Sequence, residues 1–289
     1  MRRVVAYFVI VIAFTMLNFY YRPVEGNPLV TEEYRNSDAY INDLYMSDEY
    51  FRKHIVPEKD WDLYEKMVQD IKDGKLGSVI ECQSSDCASS FDDIYYALYL
   101  DHPEFIAFQG MSARIGDHSI EPSYYHLNGL QVYFGTRRIE RELDIIKRET
   151  KNMSEKEKII YVYDYVASHQ YDHIFMYSNG NQSAYSFFTK SSSVCAGFAK
   201  ASQIIFQNIG INSYGVLGDE HMWNYVQYDG KWYVFDATVG ASYVNKKNEH
   251  FYEGLGRTTI GETHGYYYKL YPPVEDTPLT EIFGLKTSK

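Results

Sequence analysis

The chain has 289 residues, enough for one large domain or two modest ones around a real hydrophobic core. Its formal net charge is −11 and its basic residues form no long block. These features exclude nucleic acid as a partner, because neutralising phosphates requires a basic face. The content of 45% hydrophobic and 23% charged residues is that of a globular protein rather than a disordered one.

The N-terminus predicts export. Arg2 and Arg3 precede an apolar run over residues 4–21, the order of a positive start and an apolar core in an export signal. Small residues within 24–26 suit a signal peptidase, but the run is also just long enough to anchor the chain in a membrane. Residues 1–26 are therefore predicted to be a signal peptide or a membrane anchor. The rest of the chain is expected outside the cytoplasm, either secreted or held at the outer face of the cytoplasmic membrane.

Residues 27–135 predict a mainly helical N-terminal region with some strands. Apolar residues recur at helical spacing over 36–72, and a second helical segment, FDDIYYALYLDHPEF, should end at Pro103. The segment 106–134 is richer in glycine, serine and alternating apolar residues such as LQVYF, which predicts strands. A soft domain boundary is placed near residue 136.

Two of the three cysteines predict a disulfide. Cys82 and Cys87 flank the short polar stretch QSSD, which in an oxidising compartment is typical of a small-loop disulfide, with two free thiols as the alternative. Pairing them leaves Cys195 alone. An odd cysteine in an exported protein is a candidate reactive thiol.

A helical pattern returns over 139–169, and it contains a capping signature in which Glu157 follows Ser154 by three residues. A further helical stripe of apolar residues begins at Cys195 and is closed by Gly210, with Ser193 as the expected N-cap. Cys195 is therefore predicted in the first turn of a helix. Helix N-termini make a thiol more acidic, and their backbone N–H groups can hold an oxyanion.

The segment after this helix predicts a β-hairpin. A strand INSYGVLG is followed by HMWNYVQY, the turn Asp229-Gly230 and KWYVFDAT, and Asp-Gly between two such runs is a strong hairpin signal. If the turn has two residues, His221 and Asp236 lie on the same face as diagonal neighbours. The pairing predicts that an imidazole and a carboxylate meet at this end of the hairpin.

These three side chains suit nucleophilic catalysis. Cys195 would attack a carbonyl carbon, His221 would hold the thiolate and then protonate the leaving amine, and Asp236 would orient the imidazole. The alternatives are a buried structural thiol, a core histidine and a turn carboxylate.

Several motifs in this part of the chain resemble those of the transglutaminase-like superfamily, papain-like cysteine enzymes with the order Cys-His-Asp. The motifs are YD at 171–172, SAY at 183–185, VCAGFA at 194–199, HMWN at 221–224 and WYVFDAT at 232–238. LDHPEF at 100–105 also resembles a segment upstream of this domain in exported bacterial members. Ser193 and Val239 depart from the family, which often has a glycine and a tryptophan at these positions.

The resemblance implies an α+β fold, with a papain/transglutaminase-like core in which the catalytic cysteine begins a helix packed on an antiparallel sheet. A mainly helical N-terminal region precedes this core. We expect the catalytic domain to span residues 136–270 and a C-terminal tail to span 271–289.

Two further residues are candidates for the site. The hydroxyl of Tyr171 would donate to the oxyanion or the substrate, or the residue is a packed tyrosine. Trp223 would wall the acyl groove, or it belongs to the core. His169 and His173 are four residues apart, but no third ligand follows at a metal-site spacing, and there is no glycine-rich phosphate loop. We therefore expect no metal and no cofactor.

The sequence supports three functional hypotheses. The first is an exported cysteine hydrolase, a protease or amidase, that cleaves peptide or protein amide bonds through a thioester acyl-enzyme. The second is a transglutaminase, in which an amine takes the acyl group. The third is a surface binding module without activity, which the tyrosine-rich N-terminal region would suit and the intact Cys195, His221 and Asp236 argue against.

Overall fold

The computed structural model describes residues 48–73, 80–81, 90–114, 119–124, 127, 129–174, 180–241, 252–256, 260–264 and 270–287. The predicted signal or anchor segment and the cysteine pair Cys82 and Cys87 lie outside these residues. Every helix within the described part of the chain is too short or too polar to cross a bilayer.

A three-stranded antiparallel sheet, here called the central sheet, organises the fold. Its strands are, in spatial order, Ser213–Gly218, His221–Tyr228 and Lys231–Phe235. Tyr228 pairs with Lys231 across the predicted two-residue turn, in which Asp229 has φ 49° and Gly230 has φ 74°. Positive φ at both turn residues is what this tight hairpin requires, so the predicted hairpin and its register are confirmed.

The helix Cys195–Asn208 packs against one face of the central sheet. Gly210 has φ 79° and ends it, as predicted. The prediction that Ser193 is the N-cap is wrong by one residue, because the N-cap is Val194. The Ser193 side chain is buried and its hydroxyl hydrogen-bonds Ser186, so it does not cap the helix.

Three more helices complete this side of the sheet: Gly129–Thr150, Glu155–Ala167 and Ala184–Thr189. Ser154 and Glu157 form the predicted capping box at the start of the second. The segment 106–134 does contain strands, as predicted, at Phe108–Arg114 and Ser119–Tyr124. LQVYF is not one of them, because residues 130–134 lie in the first of these helices. Its apolar residues then alternate between the core and solvent, with Val132 buried and Phe134 exposed. The domain boundary expected near residue 136 also falls inside this 22-residue helix.

The N-terminal region covers the other face of the central sheet. It contributes the helices Tyr50–Ile55, Trp61–Lys72 and Phe91–Asp101, the last of which ends before Pro103, as predicted. Their apolar side chains join those of Val216, Trp223 and Tyr225 in one hydrophobic cluster.

The remaining elements are short and lie outside the central sheet. The strands Ile80–Glu81, Phe108–Arg114 and Ser119–Tyr124 form a small antiparallel sheet with the last of them in the middle. Gln170–Tyr171 and Ser192–Ser193 form a two-stranded parallel pair. The C-terminal part contains the helices Ile260–Thr263 and Leu279–Phe283 and a 3₁₀ turn at Glu253–Leu255. The chain is thus a mixed α+β protein, as predicted.

Candidate active site

Cys195 is the first residue of its helix and is a free, half-buried thiol. Burial of the thiol opposes its ionisation. The hydrogen bond and positive charge of His221, together with backbone N–H groups of Met222 and Ala196, outweigh burial and lower the pKa of the Cys195 thiol from its ordinary value. The site therefore favours the thiolate, which is the nucleophilic form of cysteine.

His221 links the thiol to a buried carboxylate. Its Nε2 lies 3.0 Å from Oδ2 of Asp236, which leaves Nδ1 to face Cys195. Burial alone would lower the pKa of His221, but hydrogen bonds to Asp236 and Cys195 and their negative charges raise that pKa to about 9. At neutral pH the imidazolium is thus the favoured form, and its positive charge favours ionisation of the neighbouring Cys195 thiol.

Asp236 is held by contacts from two directions. It is 1% exposed, and its Oδ1 accepts hydrogen bonds from the hydroxyl and the backbone N–H of Thr238. Its own backbone N–H donates to the carbonyl of Gly254 at 3.0 Å. A Cβ at position 254 would lie 1.8 Å from the Asp236 carbonyl oxygen, so only glycine fits there.

Neither supporting residue, Thr238 or Gly254, was predicted from the sequence. A carboxylate that binds the N–H group two residues on is a common local turn, so the pair of Asp236 and Thr238 could have been found from their spacing. Gly254 lies 18 residues after Asp236, and no local pattern joins the two.

Tyr171 lies at the thiol. Its hydroxyl is close enough to the thiol and to the backbone N–H of Cys195 for both groups to shift its pKa. Burial, followed by the negative charge of Cys195, raises the pKa of Tyr171 to about 12, so the phenol keeps its proton. The strand pairing of Tyr171 with Ser193 fixes this position, because Ser193 precedes Cys195 by only two residues.

Trp223 lies behind the imidazole. It is 1% exposed, and its ring is stacked on that of His221 with centroids 6.0 Å apart and planes 21° apart. This is the core position that the sequence left open as the alternative to a groove wall. A second imidazole, that of His264, has its centroid 4.8 Å from His221, and its Nδ1 lies 3.2 Å from the carbonyl oxygen of Asp219. His264 was not predicted from the sequence, because it follows His221 by 43 residues and no pattern links the two.

The structure thus brings together Cys195, His221, Asp236 and Tyr171 from four separate segments of the chain. The arrangement can supply a thiolate nucleophile, an oriented imidazolium acid and a phenolic donor at one place. Among the described residues, no three or more His, Cys, Asp or Glu side chains are arranged to hold a metal ion.

The segment that holds the site also matches a known family in sequence. Residues 144–237 match the model of the transglutaminase-like superfamily. This part of the chain, which holds all four residues of the site, is similar to that superfamily, as the resemblance of its motifs indicated, and is here called the transglutaminase-like domain. Members of that superfamily are generally cysteine enzymes.

A solved structure described as the crystal structure of a TGase is also similar, with 17% identity and a TM-score of 0.32. The match covers 64% of this chain and 58% of that one, so the chain spans just over half of the length of the structure it matches. None of the curated proteins matches the sequence.

Proposed function

We propose that this protein is a cysteine hydrolase that cleaves amide bonds of peptide or protein substrates through a thioester acyl-enzyme. The observation that carries the proposal is the placement of Cys195 at the start of a helix beside His221, whose imidazole is bonded to the buried carboxylate of Asp236. This arrangement lowers the pKa of the thiol and raises that of the imidazole. A cysteine that only packs in the core would not require a neighbouring imidazole with a raised pKa.

In the first half of the reaction, the Cys195 thiolate attacks the carbonyl carbon of the amide. The carbonyl oxygen becomes an oxyanion, to which the Tyr171 hydroxyl would donate, and the backbone N–H of Cys195 would donate to it in place of the Tyr171 oxygen. His221 gives its proton to the leaving nitrogen, the C–N bond breaks, and a thioester remains on Cys195.

In the second half, water attacks the thioester, and His221, now neutral, takes a proton from it. The new acid leaves and the thiolate is restored. Water can reach the thioester because the thiol and the His221 side chain, which is 14% exposed, are both partly accessible. Transfer to an amine would use the same residues.

The decisive experiment offers a glutamine-bearing protein and a labelled primary amine to the wild type and to Cys195→Ala. New termini or released ammonia without incorporated amine would support hydrolysis, whereas amine incorporation would assign a transglutaminase. Cys195→Ala should be folded and inactive. If a thiol-reactive probe labels Cys195 of the folded wild type no faster than a free thiol at neutral pH, the protein is instead a binding module.

We further propose that the protein acts outside the cytoplasm, as a secreted or membrane-anchored enzyme. The support is the order of charge and hydropathy in residues 1–26. Cell fractionation tests the proposal: the full chain should leave the cytoplasm, and a chain without residues 1–26 should stay inside. If both chains are found in the cytoplasm to the same extent, the proposal of export through residues 1–26 is wrong.

A further inference from the structure

A second polar cavity lies outside the site just described. Its volume is about 370 Å³, and it is open to solvent between the helix Gly129–Thr150, the end of the helix Glu155–Ala167 and the segment 187–191. The side chains that matter for its chemistry are those of Arg138, Glu142, Tyr165, His169, Phe187 and Lys190. Nothing in the mechanism above uses this cavity.

The charges of the lining side chains favour one negative charge in the cavity. Arg138 and Lys190 are cationic, and Glu142 is anionic. Burial lowers the pKa of His169, so this ring is neutral at pH 7. The sum over these lining groups is +1, and the carboxylate of Asp172, which acts on Lys190 from outside the lining, reduces it further. The cavity therefore suits at most one negative charge, that of a single carboxylate. A phosphate dianion would exceed it and would meet the Glu142 carboxylate as well.

Two of these side chains are held in place. Lys190 Nζ donates to Asn181 Oδ1 at 2.9 Å, and Glu142 accepts a hydrogen bond from the Tyr165 hydroxyl at 3.4 Å. Arg138 forms no ion pair within 4 Å among the described residues, although Glu142 follows it by one helical turn. Its planar guanidinium is thus available to bind a carboxylate, which it matches in geometry.

The cavity is close to the thiol along the chain. His169 and Tyr171 are two residues apart, so their Cα atoms are separated by about 7 Å in an extended chain. Both rings contact Phe198, with centroids 5.8 and 5.9 Å from it, and the hydroxyl of Tyr171 reaches Cys195. Lys190 precedes Cys195 by five residues, a distance of at most about 18 Å when extended.

We infer that this cavity is a substrate subsite that binds one carboxylate of the peptide, within about five residues of the amide that Cys195 attacks. The inference rests on the proposed peptide-cleaving function. Arg138 and Lys190 bind the carboxylate oxygens, and the faces of Phe187 and the neighbouring His169 contact the apolar part of the acidic side chain.

Binding to Cys195→Ala tests the subsite without turnover. The probes are fluorescein-labelled octapeptides of alanine and glycine in which one glutamate moves from position to position, each with a glutamine counterpart. At one position glutamate should bind about tenfold more tightly than glutamine, the effect of one charge-assisted hydrogen-bonded pair.

Two further substitutions locate the effect. Arg138→Gln should abolish the preference for glutamate, and Glu142→Gln should increase it several-fold because it raises the lining charge. Arg137→Gln is the matched control, because Arg137 is exposed on the same helix and its Nη1 pairs with Glu140 at 2.8 Å instead. It should leave the preference unchanged.

Three results would overturn the subsite: equal binding of glutamate and glutamine peptides at every position, equal losses in Arg138→Gln and Arg137→Gln, or tighter binding of a phosphoserine peptide. Turnover of the same peptides by the wild type separates the two proposals. A glutamate preference without any turnover contradicts the cysteine hydrolase alone, and turnover without the preference contradicts the subsite alone.

Discussion

At the scale of single residues, the charges of Cys195 and His221 depend on Asp236. The buried carboxylate stabilises the imidazolium, and the imidazolium in turn stabilises the thiolate. Because Asp236 is nearly inaccessible to water, its effect on the imidazole is little screened. The reactivity of the thiol should therefore be set by a residue that the substrate does not touch.

The pH dependence of thiol alkylation tests this chain of effects. In the wild type, iodoacetamide should label Cys195 with a midpoint below the ordinary thiol pKa, because the pKa of Cys195 is lowered. Asp236→Asn removes the charge that raises the pKa of His221, so the imidazolium is lost at lower pH and the labelling midpoint moves up. Asp229→Asn, the control, removes one carboxylate charge at the hairpin turn, and it should leave the labelling midpoint unchanged. An unchanged midpoint in Asp236→Asn would show that ionisation of the Cys195 thiol does not depend on Asp236.

The high pH limit of turnover has a different origin. His221 must carry a proton to give to the leaving group, and the pKa of His221 is raised to about 9. We expect kcat/KM to fall as the pH rises through about 9 in the wild type and at lower pH in Asp236→Asn. A wild-type profile that stays flat to pH 10 would exclude His221 as the acid.

Tyr171→Phe distinguishes an oxyanion donor from a packed tyrosine. The substitution keeps the ring against Phe198 and removes only the hydroxyl that meets Cys195. Loss of one oxyanion donor should lower kcat by roughly 100-fold with little change in KM. Tyr161→Phe, whose hydroxyl is bonded to Glu149 at the surface, is the control. A normal kcat for Tyr171→Phe would leave the residue a packing role only.

At the scale of elements, the helix that begins with Cys195 also buries a lysine. Lys200 is fully enclosed, with Nζ 3.5 Å from the centroid of the Tyr99 ring. Burial lowers the pKa of Lys200 to about 7, and the charge of Glu104 only partly offsets it. The contact between the helix and the N-terminal region therefore buries the Lys200 amino group, whose charged form is more stable in water.

Lys200→Met should raise the melting temperature. The unfolded chain binds a proton at this lysine up to about pH 10.5, whereas the folded chain loses it near pH 7. The free energy of unfolding should thus rise with pH between these values in the wild type and rise less in the variant. At pH 7 the gain is expected to be about 1–3 kcal/mol. Thermal melts at several pH values measure this gain, and Lys147→Met, at an exposed position, is the control. A lower melting temperature for Lys200→Met would show that the contact with the Tyr99 ring stabilises the fold by more than burial of the charge costs.

At the scale of the whole molecule, the N-terminal region is part of the same packed structure as the transglutaminase-like domain. The rings of Phe51 and Tyr214 are 5.7 Å apart, and Gln203 of the Cys195 helix donates to the carbonyl of Leu100 at 2.9 Å. The residues matched by the family model, 144–237, include the central sheet but none of the N-terminal helices that cover its second face.

Removal of these helices should therefore unfold the domain. A chain beginning at residue 109 would expose the large apolar side chains of the second sheet face, including Trp223 and Tyr225. We expect it to lose the cooperative thermal transition and to bind a hydrophobic dye, as followed by circular dichroism and fluorescence. A chain beginning at residue 48 keeps the helices and should melt cooperatively. A folded, active chain from residue 109 would contradict this account.

The sequence by itself determined the local geometry of the site. The apolar stripe and Gly210 place the start of a helix at Cys195, and the turn Asp229-Gly230 fixes the register that brings His221 beside Asp236. These features follow from the sequence because helix periodicity, positive φ at a turn and the two-residue period of a strand act over a few neighbouring residues.

Only the tertiary structure decided which residues and elements pack around Cys195, His221 and Asp236. LQVYF is a short apolar run that suits either a strand or a helix, and its place in the helix Gly129–Thr150 depends on the core it meets. Gly254 and His264 reach the site from distant segments, Trp223 is enclosed by helices of the N-terminal region, and the cavity at Arg138 forms between three elements. Contacts between residues far apart in the chain depend on how whole elements pack, and no local pattern in the sequence records them.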